Sequence, residues 1–128
     1  MEKPQNFTEQ DLVDLAQTWV AQLRKIDDER DKDVEQAVVA VSFLASHDKQ
    51  WRFVRAAISA AESDDELAAI AAGPLEHILG WHGETYIERV EQECLRNAHF
   101  VRALSFVWRY RMSDEVWERV QRLKSQLS

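Results

Sequence analysis

The residue types that could do chemistry gather in one short stretch. Glu76, His77, His82 and Glu84 surround Gly80 and Gly83. Two imidazoles and two carboxylates could hold a divalent metal. The His-x4-His spacing argues against it, because a helix turns about 100° per residue and sets the two rings about 140° apart. A helical zinc motif uses i, i+4 instead. A helix break at Gly80 would restore the geometry. Otherwise capping and turn hydrogen bonds are the expected roles, and no metal or cofactor is expected. Arg109, beside Trp108, could hold a ligand carboxylate or phosphate. No Gly-rich phosphate cradle accompanies it, so pairing with Glu76 or Asp114 inside the fold is expected. Cys94 and His99 are five apart with no Asn or Asp placed to orient the imidazole. Cys94 continues an Ile87–Val90 apolar stripe and reads as a core thiol. Ser42, Ser105 and Ser113 lack a nucleophile-elbow context. No catalytic set emerges, and the chain reads as a non-enzyme.

The elements that must position these residues are helical. The chain has 128 residues, one domain's worth, and its 45% hydrophobic share suffices for a core. One Cys excludes an internal disulfide framework, and three Gly and two Pro are few for a loop-rich β protein. A first helix starts after Thr8, with Asp11 completing a capping-box-like pair, and carries the stripe Leu12, Leu15, Ala16, Trp19, Leu23 and Ile26. A charged connector over 27–32 precedes a second helix from about Asp33. That helix is apolar on more than one side (Val39, Ala40 and Phe43 besides Val34, Val38, Val41 and Leu44), which predicts a central position. Asp48 is the expected cap of a third helix. Ser63-Asp64-Asp65-Glu66 is a capping box for a fourth, which Gly73-Pro74 should end. A short fifth helix stops at Gly80 and His82-Gly83. A sixth runs over about 84–96, and a seventh over about 98–111 with Phe100, Val101, Leu104, Val107 and Trp108 on its apolar, core-facing stripe; Ser113 caps the last. The expected fold is all-α: a single domain over 1–128 with seven or eight short helices. An irregular α-α superhelical stack in the manner of HEAT arrays and an orthogonal bundle both fit.

Charge divides the chain. Residues 1–66 hold 15 acids and 8 bases, whereas residues 67–128 hold 8 of each. Asp27, Asp28, Glu29, Asp31, Asp33 and Glu35 concentrate the negative charge, with Arg30 and Lys32 as relief. This run reads as a solvated connector or as a contact for a basic partner. The segment 96–124 is locally basic, but the chain carries −7 overall, opposite to the footprint of a nucleic-acid binder. The longest apolar run, 37–45, is about half the ~20 residues that cross a bilayer. No apolar leader follows the N-terminus, so a cytoplasmic location without membrane insertion is expected. Trp81, between Gly80 and His82, is a candidate interface anchor.

Gly73-Pro74-Leu75-Glu76, His82-Gly83, Ile87-Glu88-Arg89-Val90-Glu91, Val107-Trp108-Arg109 and Met112-Ser113-Asp114-Glu115-Val116-Trp117 together form a pattern over about 67–122. In this pattern the chain resembles an uncharacterised bacterial family of small helical domains, known as a domain of unknown function. The resemblance implies a helical domain and brings no reaction, cofactor or catalytic residue. Glu76, His82, Arg109 and Asp114 stand at its polar motif positions. The leading expectation is a protein-binding module, most concretely a bacterial immunity protein or antitoxin that masks a basic toxic enzyme. Its contacts would be the acidic 27–35 run and Trp81. The alternative is a small-ligand receptor or enzyme built on a Glu76, His82 and Arg109 pocket.

Overall fold

The computed structural model describes residues 3–127. Helix α1 spans Glu9–Gln22. Thr8 opens it with a reciprocal box: its Oγ1 accepts from Asp11 N at 3.1 Å, and Asp11 Oδ2 accepts from Thr8 N at 2.9 Å. Leu12, Ala16, Trp19 and Val20 are its buried face, packed mainly on α3 (His47–Ala60). Between them in the chain comes α2, Lys32–Leu44, capped by Asp31. The cap of α3 is Ser46, whose Oγ accepts from Lys49 N at 3.3 Å. Asp48, expected there, lies inside the first turn and pairs with Arg52 at 2.9 Å.

The second helix is not central. Val38 and Val41 enter the core, while Val39, Phe43 and Leu44 face outward. Its second apolar side is a surface.

Helix α4, Asp64–Ile70, begins at the Ser63 box. The Glu66 carboxylate accepts from Ser63 Oγ at 2.8 Å, from Glu62 N at 3.1 Å and from Arg24 Nη2 at 2.9 Å. Burial opposes ionisation of Glu66, but the bonds from Arg24, Ser63 and Glu62 outweigh it and hold its pKa below the usual range.

Gly73-Pro74 does not stop the chain. Ala71–Leu75 widens into one π-helical turn, and α5 follows directly as Glu76–Arg96. A wide turn relaxes the ordinary i to i−4 pattern, where Pro lacks a donor and clashes with the preceding turn. The expected fifth and sixth helices are therefore one element, kinked at His82, where φ is −135° and ψ is 23°. Its glycines admit neighbours rather than end a helix. A Cβ on Gly80 would overlap the Tyr110 carbonyl oxygen, and one on Gly83 would lie 3.0 Å from Val116 Cγ1.

Helix α6, Ala98–Leu104, is capped by Asn97 and ends well short of Arg111. Residues 105–113 form a non-helical strap across α5. Val107 and Met112 are buried along it, and Arg111 takes the left-handed conformation at φ 57°. Trp108, expected in the core, is 76% exposed, because leaving helical geometry after Leu104 changes which residues face inward. Ser113 caps α7, Asp114–Lys124, which buries Val116, Val120 and Leu123. One apolar cluster joins all seven helices, and no strand occurs among the described residues, so the fold is all-α and single-domain. None of the helices described is long and apolar enough to cross a membrane.

Gly80→Ala should displace the strap and lower stability by about 1–3 kcal/mol, as overpacking does. Gly73→Ala meets no tertiary neighbour within 4 Å, but a Cβ on a helical residue directly before Pro74 crowds the pyrrolidine ring. It should lower stability by less than Gly80→Ala does. Denaturant melts of both variants check this pair, and equal effects would contradict the close approach at Gly80.

Candidate functional site

The acidic run is ordered by its own relief charge. Asp27–Glu29 is a single 3-10 turn. Arg30 pairs with Asp27 at 2.9 Å and donates to the carbonyls of Leu23 and Lys25. Asp31 is occupied as the α2 cap, while Asp28, Glu29 and Asp33 are exposed. Glu35 departs from the run. It turns inward, its Oε2 accepts from Trp19 Nε1 at 3.3 Å, and its Oε1 is buried with no hydrogen-bond partner.

The four polar motif residues do not converge. Arg109 pairs with Asp114 at 2.6 Å and donates to Met112 O at 3.1 Å, closing the turn before α7. Glu76 Oε2 accepts from Trp108 N at 3.2 Å. Burial pushes the Glu76 pKa up, with Trp108 N–H and Lys124 pulling partly back. His82 sits instead beside His47, ring centres 5.1 Å apart, and His47 Nδ1 lies 2.7 Å from the Tyr86 hydroxyl. Among the described residues no three His, Cys, Asp or Glu side chains meet as metal ligands. Cys94 is buried, and burial together with Glu93 and Glu91 raises its pKa to about 11.

What the fold does assemble is a pair of adjoining grooves along α2. The first, about 310 Å³, runs between α2, the π turn and the strap, with Glu35, Val39, Phe43, Pro74 and Tyr110 on its walls. The second, about 400 Å³, is bounded by His47, Gln50, Trp81 and His82. Ser42, Phe43 and His77 belong to both. Phe43 stands edge-on to His77 with ring centres 4.6 Å apart, and His77 lies 5.8 Å from Trp81. Trp81 is half exposed, and the Arg111 guanidinium covers its ring at 3.9 Å. Gln50 is only 7% exposed, donates Nε2 to Ala45 O at 3.0 Å, and has an unpartnered Oε1. Of these wall residues, Val39, Phe43, His47, Gln50 and Tyr110 are absent from the sequence-based candidates. The double apolar character of α2 was the signal for Val39 and Phe43, and it pointed to an exposed face rather than to a central helix; nothing local in the sequence marked His47, Gln50 or Tyr110.

A separate polar groove of about 310 Å³ carries Arg52, Arg55, Arg89 and Arg96. Its carboxylates are already engaged: Arg52 holds Glu9 and Asp48, while Arg55 and Arg96 hold the buried Glu93.

A family model described as a family of unknown function (DUF6869) matches residues 19–127. The match extends the resemblance seen over 67–122 back through α2, α3 and α4. No curated protein and no solved structure matches the chain.

Burial, then the nearby His82, lowers the His77 pKa, and burial, then His47, lowers that of His82. Below the unfolded value of 6.5 the unfolded chain therefore binds protons that the folded grooves refuse. Stability should fall with acid through that window. Glu76, whose pKa is raised, acts in the opposite sense nearer 4.5. Thermal melts from about pH 7.5 down to about pH 5.5 should show the drop, with a smaller drop in a His77→Gln, His82→Gln double variant.

Proposed function

The chain belongs to the DUF6869 family of unknown function, and we propose that it is a protein-binding module whose partner is a basic protein. In its most concrete form the partner is a toxic effector enzyme, and this chain is the cytoplasmic bacterial immunity protein or antitoxin that masks it. The observation that carries the reading is the outward line of α2. Val39 and Phe43 stand at i+4 spacing on that face, and the exposed Asp28, Glu29 and Asp33 precede them in the chain, so acid is followed by apolar surface. Val39 is 57% and Phe43 63% exposed, and Leu44, Trp81, Trp108 and Tyr110 are exposed too. Large apolar surface rimmed by charge marks an interaction site on a soluble protein. Exposed Asp28, Glu29 and Asp33 would steer a basic partner, and Phe43 and Trp81 would anchor it.

An irregular α-α stack or an orthogonal bundle would suit this use alike, since Val39, Phe43 and Leu44 of α2 face outward. A small-ligand site on Glu76, His82 and Arg109 has less support, because Glu76 and Arg109 are spent on closing the strap and its turn.

Tagged chain expressed in its source cell should retain a basic protein that arrests growth when produced alone and is harmless beside the chain. Phe43→Asp should weaken that complex about a hundredfold without altering the melt, as loss of a central anchor does. Asp28→Lys with Glu29→Lys should slow association and flatten its salt dependence. A partner that is not toxic, or one bound unchanged by both variants, would refute the reading.

A further inference from the structure

The polar groove on α3 and α5 is built from residues that are scarce in the rest of this acidic chain. Four of the eleven arginines line it, and no lysine does. They form two helical stripes. Arg52 and Arg55 are three apart on α3, while Arg89, Gln92 and Arg96 follow at i, i+3 and i+7 on α5. Trp51 against Tyr86, ring centres 5.5 Å apart, packs the two helices together.

Ion pairs sort these arginines into two sets. Arg52 is outnumbered by Glu9 at 3.1 Å and Asp48 at 2.9 Å, so that corner repels an anion. Arg55 and Arg96 share a single carboxylate: Glu93 Oε1 lies 3.2 Å from Arg55 Nε and 3.0 Å from Arg96 Nη2. Arg89 is exposed and lies over the Tyr86 ring at 4.9 Å, with no ion pair among the described residues. Arg55, Arg89 and Arg96 thus set three positive charges against one negative, an excess of two on a chain of net charge −7. Glu93 is buried while both of its arginines are exposed. It therefore holds one guanidinium from each helix in place, and each has five donors, of which the Glu93 contact engages one nitrogen.

Fixed planar forks in place of lysines suit an oxyanion. A carboxylate carries one charge and two oxygens, which a single fork satisfies. A phosphate monoester carries nearly two charges and three free oxygens, which matches both the excess and the number of forks. A groove of about 310 Å³ admits that group with a small substituent. We propose that Arg55, Arg89 and Arg96 form a site for a phosphate dianion, free or at the head of a small monoester, with Glu93 as the positioning residue. It shares no wall residue with the grooves along α2 and is independent of the protein-binding reading.

The test titrates phenyl phosphate and phenyl sulfate into the whole chain at about pH 8, above the second phosphate pKa of about 6, and about 0.15 M salt. Sulfate keeps the shape and carries one charge fewer. Phenyl phosphate should shift the Arg55, Arg89 and Arg96 Nε–H signals in NMR spectra saturably, and phenyl sulfate should bind about tenfold more weakly. Arg89→Gln breaks no ion pair and should lower phosphate affinity about tenfold with an unchanged circular dichroism melt. Arg96→Lys keeps the charge without the fork and should weaken binding too. Arg122→Gln, at the exposed pair with Glu118, and Phe43→Asp should leave it unchanged. Inorganic phosphate run alongside names the source: tighter binding than phenyl phosphate supports a site for the free ion, weaker binding a site for the monoester. Phosphate and sulfate bound equally, shifts that do not saturate, or binding indifferent to Arg89→Gln would overturn the inference.

Discussion

A side chain that is missing at position 80 decides where the last third of the chain can lie. The Tyr110 carbonyl oxygen occupies the space any Cβ there would need. This approach lets 105–113 cross α5 as a strap instead of continuing as helix. Three polar ties then hold the strap: Glu76 on Trp108 N, Lys124 Nζ on Val107 O at 2.7 Å, and Arg109 on Asp114 and Met112 O. Val107 and Met112 sink into the core along it. The left-handed backbone at Arg111 is unfavourable by roughly 1–2 kcal/mol for a residue with a Cβ. In return, the guanidinium of Arg111 lies over Trp81 and Tyr110 closes one side of the first groove. Geometry at a single glycine is therefore what turns the outer face of α2 into a groove with two walls.

The parts of the molecule that stabilise it and the parts that form the grooves are largely separate. The core is apolar and continuous, and its buried acids are satisfied: Glu66 by Arg24, Ser63 and Glu62 N, Glu93 by Arg55 and Arg96. Arg119 meets Glu91 to brace α7 on α5. Val39, Phe43 and Trp108 belong to none of this. Their exposure forgoes the burial that would reward each at roughly 25 cal/mol per Å² of apolar surface. The fold satisfies these buried carboxylates and leaves Phe43, Trp81, Trp108 and Tyr110 exposed outside that framework.

Where chemistry is local, the sequence was legible. The Thr8, Ser63 and Ser113 caps depend on a side chain within three residues, and each forms as expected. Cys94 lies in the core along its stripe. The failures share one cause, which is that a glycine or an apolar residue has the same appearance whatever its tertiary neighbour. Gly80 and Gly83 read as stop signals because a helix C-terminus is the usual local use of glycine, whereas here they admit Tyr110 and Val116. Val39 and Phe43 read as core because hydrophobicity does not say whether the facing element exists. Trp108 read as core because the helical period was carried past Leu104, where the chain leaves the helix. The motif residues Glu76, Arg109 and Asp114 read in sequence as pairing inside the fold, with a ligand pocket as the alternative, and their observed bonds fasten the strap and its turn.

The acidic run teaches a finer distinction. In sequence, Glu35 is the last of a series whose members all look alike. In the fold, Asp28, Glu29 and Asp33 remain in high dielectric, where their attraction for a basic surface is long-ranged, weak and screened by salt. Glu35 is three residues, less than one turn of helix, past the connector, and it stands in a groove wall beside Trp19 and apolar side chains. Exposed acids govern how fast a basic protein arrives, while Glu35 is spent on the Trp19 indole inside the fold. Asp33 and Glu35, two residues apart, thus differ in burial, which composition does not encode.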